Sequence, residues 1–211
     1  MRYYPVCLDI KDKKCLIVGG GKVSTRKIIS LIDCGAIVTV VSLEFSKKLQ
    51  RLAENKMVIL EKRCYKVSDL KGVFLVFCTA DDKELNWQIS EDARKLNIFC
   101  NVADMPDKGD FILPAVVKQG DLSIAVSTSG KSPALARKLR MELELQFGKE
   151  YSKLLCLMGQ LREKLLKEEH DPETHKYIFR KLLDSGILEM IKAGKNSDID
   201  LLLRKVTGIC L

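Results

Sequence analysis

The stretch Cys15-Leu16-Ile17-Val18-Gly19-Gly20-Gly21-Lys22-Val23-Ser24 decides the fold. An apolar run enters three glycines, and a segment with helical apolar spacing leaves them. The pattern fits G-x-G-x-x-G/A with Ser24 as the small third residue. Gly19 lets the chain leave a strand in a tight turn. Gly21 lets backbone approach a pyrophosphate, and Ser24 lets the next helix pack closely on the sheet. The helix N-terminus then faces phosphates with free N–H groups and the positive end of its dipole. A turn with a purely structural role is the alternative; the strand before and the helix after favour dinucleotide binding.

Outward from this turn, short apolar runs alternate with helix-like segments. The runs are Lys14–Val18, Ile37–Val41, Met57–Leu60, Val73–Cys78 and Ile98–Asn101, and helical periodicity marks Val23–Asp33, Phe45–Glu54 and Asp82–Leu96. The alternation predicts an α/β class protein with a Rossmann-type parallel sheet, buried on both faces and doubly wound by right-handed crossovers. After Pro106 the pattern changes. Phe111–Pro114, Ala115–Val117 and Leu122–Val126 read as strands, with Gly120-Asp121 as a turn. Ser132-Pro133 predicts an N-cap and a proline at the first helical position, with a helix to about Phe147 that stops at Gly148. From Tyr151 to Lys167 the leucines at 154, 155, 157, 161, 165 and 166 form a helical stripe. Asp171-Pro172 opens another helix, and Gly186 and Gly194 punctuate two more. The expected organisation is a Rossmann domain over residues 1–113, a small α+β dimerisation segment over 114–149 and an all-helical domain over 150–211.

A chain of 211 residues with 46% hydrophobic and 30% charged side chains is not a disordered one. No apolar run approaches the about 18 residues needed to cross a bilayer. Met1–Ile10 has neither the basic start nor the apolar core of a secretory signal, so a cytoplasmic protein with no membrane partner is expected. The net charge of +8 favours anionic partners. It is spread evenly, 19 basic against 15 acidic groups in residues 1–113 and 17 against 13 in 114–211, which disfavours a basic nucleic-acid tail. The eight cysteines are scattered without a C-x-x-C, and each is expected to be reduced, buried and structural. His170 and His175 are spaced five apart, unsuited to one helix face, so no metal site is expected.

The dinucleotide pattern calls for an acid at the end of the second strand, about 20 residues on, to hold the ribose hydroxyls. Val41-Ser42-Leu43-Glu44 stands there, although Glu44 is equally placed as a first-turn acid of the next helix. No arginine in that turn awaits a 2′-phosphate, which favours NAD over NADP. Thr79-Ala80-Asp81-Asp82 follows the fourth strand and Asn101-Val102-Ala103-Asp104-Met105-Pro106 the fifth, at the strand ends where such sheets bind ligands. Helix capping accounts for Asp81 or Asp82 as well, and an Asx turn before Pro106 accounts for Asp104.

With these residues in place the chain resembles the precorrin-2 dehydrogenase family of sirohaem synthesis, including the N-terminal part of multifunctional sirohaem synthases. The resemblance rests on residues 4–9, Cys15–Gly21, Val23-Ser24-Thr25-Arg26-Lys27, 78–82, 100–104, 110–115 and 127–137, in order and spacing over about residues 2–145. The tail matches only in character. The resemblance implies a homodimer that oxidises precorrin-2 to sirohydrochlorin with NAD⁺; some members also insert Fe²⁺ as ferrochelatases. It puts NAD contacts on Gly19, Gly20, Gly21, Lys22 and Val23 and on Ser42, Leu43 and Glu44, with Thr79 and Asp81 beside them, and it matches Asp104 to an aspartate implicated in the chemistry. The tetrapyrrole substrate is a polycarboxylate. Ser127, Thr128, Ser129, Gly130, Lys131, Ser132 and Arg137, around a helix N-terminus in a stretch with Lys138 and Arg140 and no acid, are candidate substrate contacts, together with Asn101. A capped, solvated helix supporting a dimer is the other reading of that stretch. Thr128 stands where some relatives carry a regulatory phosphoserine, a role not carried over to this threonine. An NAD-sensing regulatory module and a tetrapyrrole chelatase or carrier without redox activity are the rival functions. A fused methyltransferase domain is not expected of a chain ending at Leu211.

Overall fold

The computed structural model describes residues 2–167 and 172–207. The chain forms two compact units, Met1–Leu113 and Pro114–Leu211. The first contains β1 (Lys14–Val18), α1 (Lys22–Asp33), β2 (Ile37–Ser42), α2 (Lys47–Glu54), β3 (Ile59–Lys62), β4 (Leu75–Cys78), α3 (Lys83–Lys95) and β5 (Phe99–Val102), with short 3-10 turns at Val67–Leu70 and Pro106–Lys108. The five strands pair in parallel in the order β3-β2-β1-β4-β5. This is the expected α/β Rossmann-type sheet, and the exits of β1, β2 and β4 are brought side by side at its carboxyl edge.

The period-two arrangement of strand side chains explains why the strands read as unbroken apolar runs. Cys15 and Ile17 of β1 join Ile28, Leu31, Val38, Val40, Leu49 and Phe77 in one core, while Leu16 and Val18 join Leu70, Val76, Ile89 and Ala93 in the other. Both faces are therefore covered, and each fully buried side chain of this size stabilises the unit by about 1.5–3 kcal/mol. β3 begins two residues later than the run Met57–Leu60 suggests. As an edge strand it leaves Ile59 half exposed, so apolar content does not mark its ends. Phe111–Pro114 reads as a strand in the sequence but pairs with none. Its apolar residues do other work: the Phe111 ring stands edge-on to Phe77 at 5.5 Å, and the Phe111 carbonyl accepts from Asn101 Nδ2 at 2.9 Å.

The second unit opens with an antiparallel hairpin of β6 (Ala115–Gln119) and β7 (Leu122–Val126), turned at Gly120 with φ +59°. α4 (Pro133–Gln146) starts as its sequence predicts: Ser132 Oγ accepts from Leu135 N at 3.2 Å, and proline takes the first turn. α5 (Lys149–Leu165), α6 (Pro172–Leu183), α7 (Ile187–Lys192) and α8 (Asn196–Thr207) follow. Of the leucine stripe, Leu154, Leu161 and Leu165 enter a core with Ile178, Leu182, Ile187, Ile191, Ile199 and Leu203, whereas Leu166 is exposed. Asp171, His170 and Cys210, each given a role in the sequence reading, lie outside the described residues.

The cysteines correct one expectation. Cys15, Cys78 and Cys100 are buried, but Cys7, Cys34, Cys64 and Cys156 are exposed, because they occupy loops, a helix end and an outer helix face instead of strands. Among the described residues no helix is long and apolar enough to cross a membrane.

Candidate functional site

β1 leads straight into Gly19, whose φ of +120° suits only glycine, and a Cβ there would lie 2.5 Å from the Thr79 carbonyl oxygen. Beside it, a Cβ on Gly20 would come within 1.9 Å of the Glu44 carbonyl oxygen. The turn is thus threaded between the exits of β4 and β2. Bonds from Gly19 N to Val41 O, Thr79 N to Val18 O and Ser46 N to Gly20 O, each 2.9 Å, lock it there. Gly21 differs. Its φ of −84° is open to any residue, and a Cβ on it would meet nothing within 4 Å. It stands at the N-cap of α1, where no side chain caps the helix and the first turn holds no acid. The first N–H groups of α1 and its positive dipole end therefore open onto free space, which fits an anionic pyrophosphate.

Hydroxyls brace this turn. Ser24 is fully buried and meets Thr79 Oγ1 at 3.1 Å. Thr25 Oγ1 donates to Gly21 O at 2.8 Å and lies 3.0 Å from Ser46 Oγ. Since the single Thr25 proton goes to the carbonyl, Ser46 donates to Thr25 while accepting from Leu49 N to cap α2. Thr25 enters the sequence reading only within the motif that carries the resemblance, and Ser46 not at all; the signal is a hydroxyl in the first turn after the glycines and a serine three residues before Leu49.

A cleft of about 1180 Å³ lies above the turn. It gathers Gly19, Gly20, Gly21, Lys22, Ser42, Leu43, Glu44, Thr79 and Asp81. Val23 is half exposed in the first turn of α1 but does not line the cleft. Glu44 precedes the α2 cap Ser46, so it belongs to the strand exit and not to the first turn of α2. Asp82 is the α3 cap, accepting from Glu84 N at 2.9 Å and Leu85 N at 3.2 Å, and Asp81 is left to the cleft. Arg63 and Trp87 are among the lining residues that sequence reasoning missed. Arg63, just past β3, is gripped by both Asp69 oxygens at 2.8 and 2.9 Å, so its guanidinium is already committed. Burial pushes the Asp69 carboxyl up, but the Arg63 guanidinium and the Lys66 N–H overcome this and hold it below the usual range. Trp87, the single tryptophan, is half exposed on the cleft wall.

Asp104 is exposed just beyond β5 and is not among the cleft's lining residues. An Asx turn onto Pro106 is not formed, since proline has no N–H to offer; Asp104 Oδ1 accepts instead from Asn86 Nδ2 at 3.3 Å. Asn101 is 5% exposed, with Oδ1 accepting from Lys27 Nζ at 2.9 Å and Nδ2 donating to Phe111 O. Burial, with the charge of Arg26 adding, pushes the Lys27 amine down to about 8.

The remaining candidates sit in the second unit. Ser127 Oγ accepts from Ser129 N and Thr128 Oγ1 from Ser132 N, both at 3.1 Å, with Ser129 and Gly130 in left-handed backbone. Within α4, Lys138 pairs with Glu142 at 3.8 Å and Arg140 with Glu144 at 2.6 Å. Lys131 and Arg137 are exposed and form no ion pair among the described residues. Among those residues no group of three or more His, Cys, Asp or Glu side chains could hold a metal ion.

Comparison with known proteins bears on these arrangements. Residues 6–115 match the model of a family described as "Putative NAD(P)-binding", and residues 119–146 match one described as sirohaem biosynthesis protein central. The chain is 36% identical over 195 residues to a siroheme synthase of Ruthia magnifica, covering 92% of this chain and 41% of that protein. To a siroheme synthase of Methylococcus capsulatus it is 34% identical over 203 residues, covering 96% and 43%. The chain thus spans about two fifths of the length of these relatives. A solved structure titled "SirC, precorrin-2 dehydrogenase" superposes with a TM-score of 0.80 at 22% identity, over 98% of this chain and 100% of that one, which establishes the shared fold.

Proposed function

The chain belongs to this NAD(P)-binding family, and on that premise we propose that it oxidises precorrin-2 to sirohydrochlorin with NAD⁺. The observation that carries the reading is the uncapped α1 N-terminus opening on the cleft, with an exposed carboxylate, Asp104, tied through Asn86 to the Thr79–Asp82 loop that lines it. The relatives named siroheme synthase support it.

When bound, NAD⁺ supplies the hydride acceptor. The N–H groups after Gly19, Gly20 and Gly21, with Lys22, would hold the pyrophosphate, and Val23, outside the cleft lining, would contribute only as part of the first turn of α1. Ser42, Leu43 and Glu44 bind the ribose, the Glu44 carboxylate accepting from its diol. Arg63, committed to Asp69, offers no free fork to a 2′-phosphate, which supports NAD over NADP. Thr79 and Asp81, which line the same cleft, would complete the cofactor's contacts. The oxidation removes two hydrogens: one leaves as hydride, and Asp104 takes the other as a proton. Lys131 and Arg137, with Ser127, Thr128, Ser129, Gly130 and Ser132, bind substrate carboxylates. Asn101, the candidate substrate contact of the first unit, has both ends of its amide already used, by Lys27 Nζ and Phe111 O.

The same reading makes residues 114–149 a homodimerisation segment and 150–211 a helical domain. Exposed Leu135, Leu139, Met141 and Leu145 on α4 support the dimer. The free thiols support a cytoplasmic location. Asp104→Ala is expected to abolish NADH formation from precorrin-2 while NADH still binds. Wild-type turnover in that variant would remove Asp104 from the mechanism. An added Fe²⁺ arm reads whether iron insertion, the second activity proposed for the same carboxylate, yields sirohaem.

A further inference from the structure

α3 carries two buried polar residues one turn apart, Asn86 at 0% exposure and Ser90 at 2%. A buried amide left unpaired is costly, so its partners define its role. Asn86 Oδ1 accepts from Ala80 N at 3.1 Å, and Nδ2 donates to Ala80 O at 2.8 Å and to Asp104 Oδ1 at 3.3 Å. The Ala80 N–H can meet only an acceptor, which fixes the orientation of the amide and turns its two N–H bonds toward Ala80 O and Asp104. Ser90 Oγ, on the same helix face, donates to the Lys108 carbonyl at 2.6 Å and so holds the far end of the Asp104–Lys108 segment. Ala80 lines the cofactor cleft.

We propose that Asn86 is a positioning residue: it fixes the carboxylate of Asp104 relative to the Thr79–Asp82 wall of the cofactor cleft. The proposal rests on the reading of Asp104 as the proton acceptor. The i, i+4 pair makes one rigid helix face hold two loops from neighbouring strands, and Ala80 and Asp104 share a single planar amide between them. Displacing a reacting group by about 1 Å can cost about a hundredfold in rate.

Asn86→Asp keeps an acceptor for Ala80 N–H but faces Ala80 O and Asp104 with acceptors. Asn86→Leu removes all three bonds while keeping the branched outline of the side chain. Both are expected to lower kcat by about ten- to a hundredfold, with KM for precorrin-2 within about twofold. A kcat within about twofold of wild type in both variants, or a loss carried by KM with kcat unchanged, overturns the proposal.

One measurement needs neither activity nor an Asn86 variant. In the whole chain labelled with ¹⁵N, the side-chain amide protons of Asn86 should be slow to exchange, and they should shift and exchange faster in Asp104→Ala. An unresponsive amide overturns the proposal even where the wild type turns over. A responsive amide in a protein inert toward precorrin-2 removes the functional reading and leaves the contact standing.

Discussion

Gly21→Asp separates folding from cofactor binding at one position. The backbone there has φ −84°, which an aspartate adopts freely, and its Cβ would point into space empty to 4 Å. A carboxylate at an uncapped helix N-terminus gains about 0.3–1 kcal/mol from the dipole, so the variant should fold and hold or slightly raise its melting temperature. The same carboxylate would stand about 5 Å from a diphosphate resting on those N–H groups. At an effective dielectric constant of about 20, one such charge pair costs about 3 kcal/mol, and about half that with solvent screening in an open cleft. At about 1.4 kcal/mol per decade, the Kd for NADH should rise by about ten- to a hundredfold. Trp87 on the cleft wall supplies the assay, as energy transfer from the single tryptophan to bound NADH. A variant that binds NADH within about twofold of wild type would refute the placement of the diphosphate on this helix end, and one that unfolds would refute the geometry of the turn.

Gly20→Ala should behave oppositely: its Cβ would stand 1.9 Å from the Glu44 carbonyl, so backbone must move, at about 1–3 kcal/mol in urea unfolding. Lys27 gives a pH signature. Burial lowers its amine in the folded chain from the ordinary 10.5 to about 8, so the unfolded chain binds more protons between those values and stability must rise with pH across that window. Because the group keeps some solvent, the rise should not exceed about 2 kcal/mol; Lys27→Met should lack it, as urea titrations from neutral to alkaline pH would show. In the second unit, Leu161→Ala empties a fully buried position on α5 and should cost about 2–5 kcal/mol by the same unfolding assay.

The glycine turn was legible because three constraints coincide in a few adjacent residues: a buried strand, a positive φ at Gly19 and a helix start that must stay uncapped. The central strands were legible for the related reason that burial on both faces leaves no polar alternation to misread. Where only one side is covered the signal fails, as at β3. Phe111–Pro114 misleads in another way, since apolar residues that close a core from a loop look like a strand in one dimension. The ambiguity between Asp81 and Asp82 could be settled only by seeing which carboxylate reaches the α3 amides. Asn86 gave no signal at all. An asparagine inside a helix pattern looks like solvated surface, and its three partners come from residues 80 and 104, which meet only through the β4–β5 pairing. The stretch from 131 to 140 looked uniformly basic, yet two of its four cations, Lys138 and Arg140, are paired one turn further along α4 with Glu142 and Glu144.

The central claim is a redox one, and the most direct measurement follows both products when the purified chain is given precorrin-2 and NAD⁺. Formation of sirohydrochlorin and NADH in equal amounts, with NADP⁺ a poor substitute, is the predicted result. Binding of the tetrapyrrole without NADH formation, or NADH binding with no effect on precorrin-2, would contradict it.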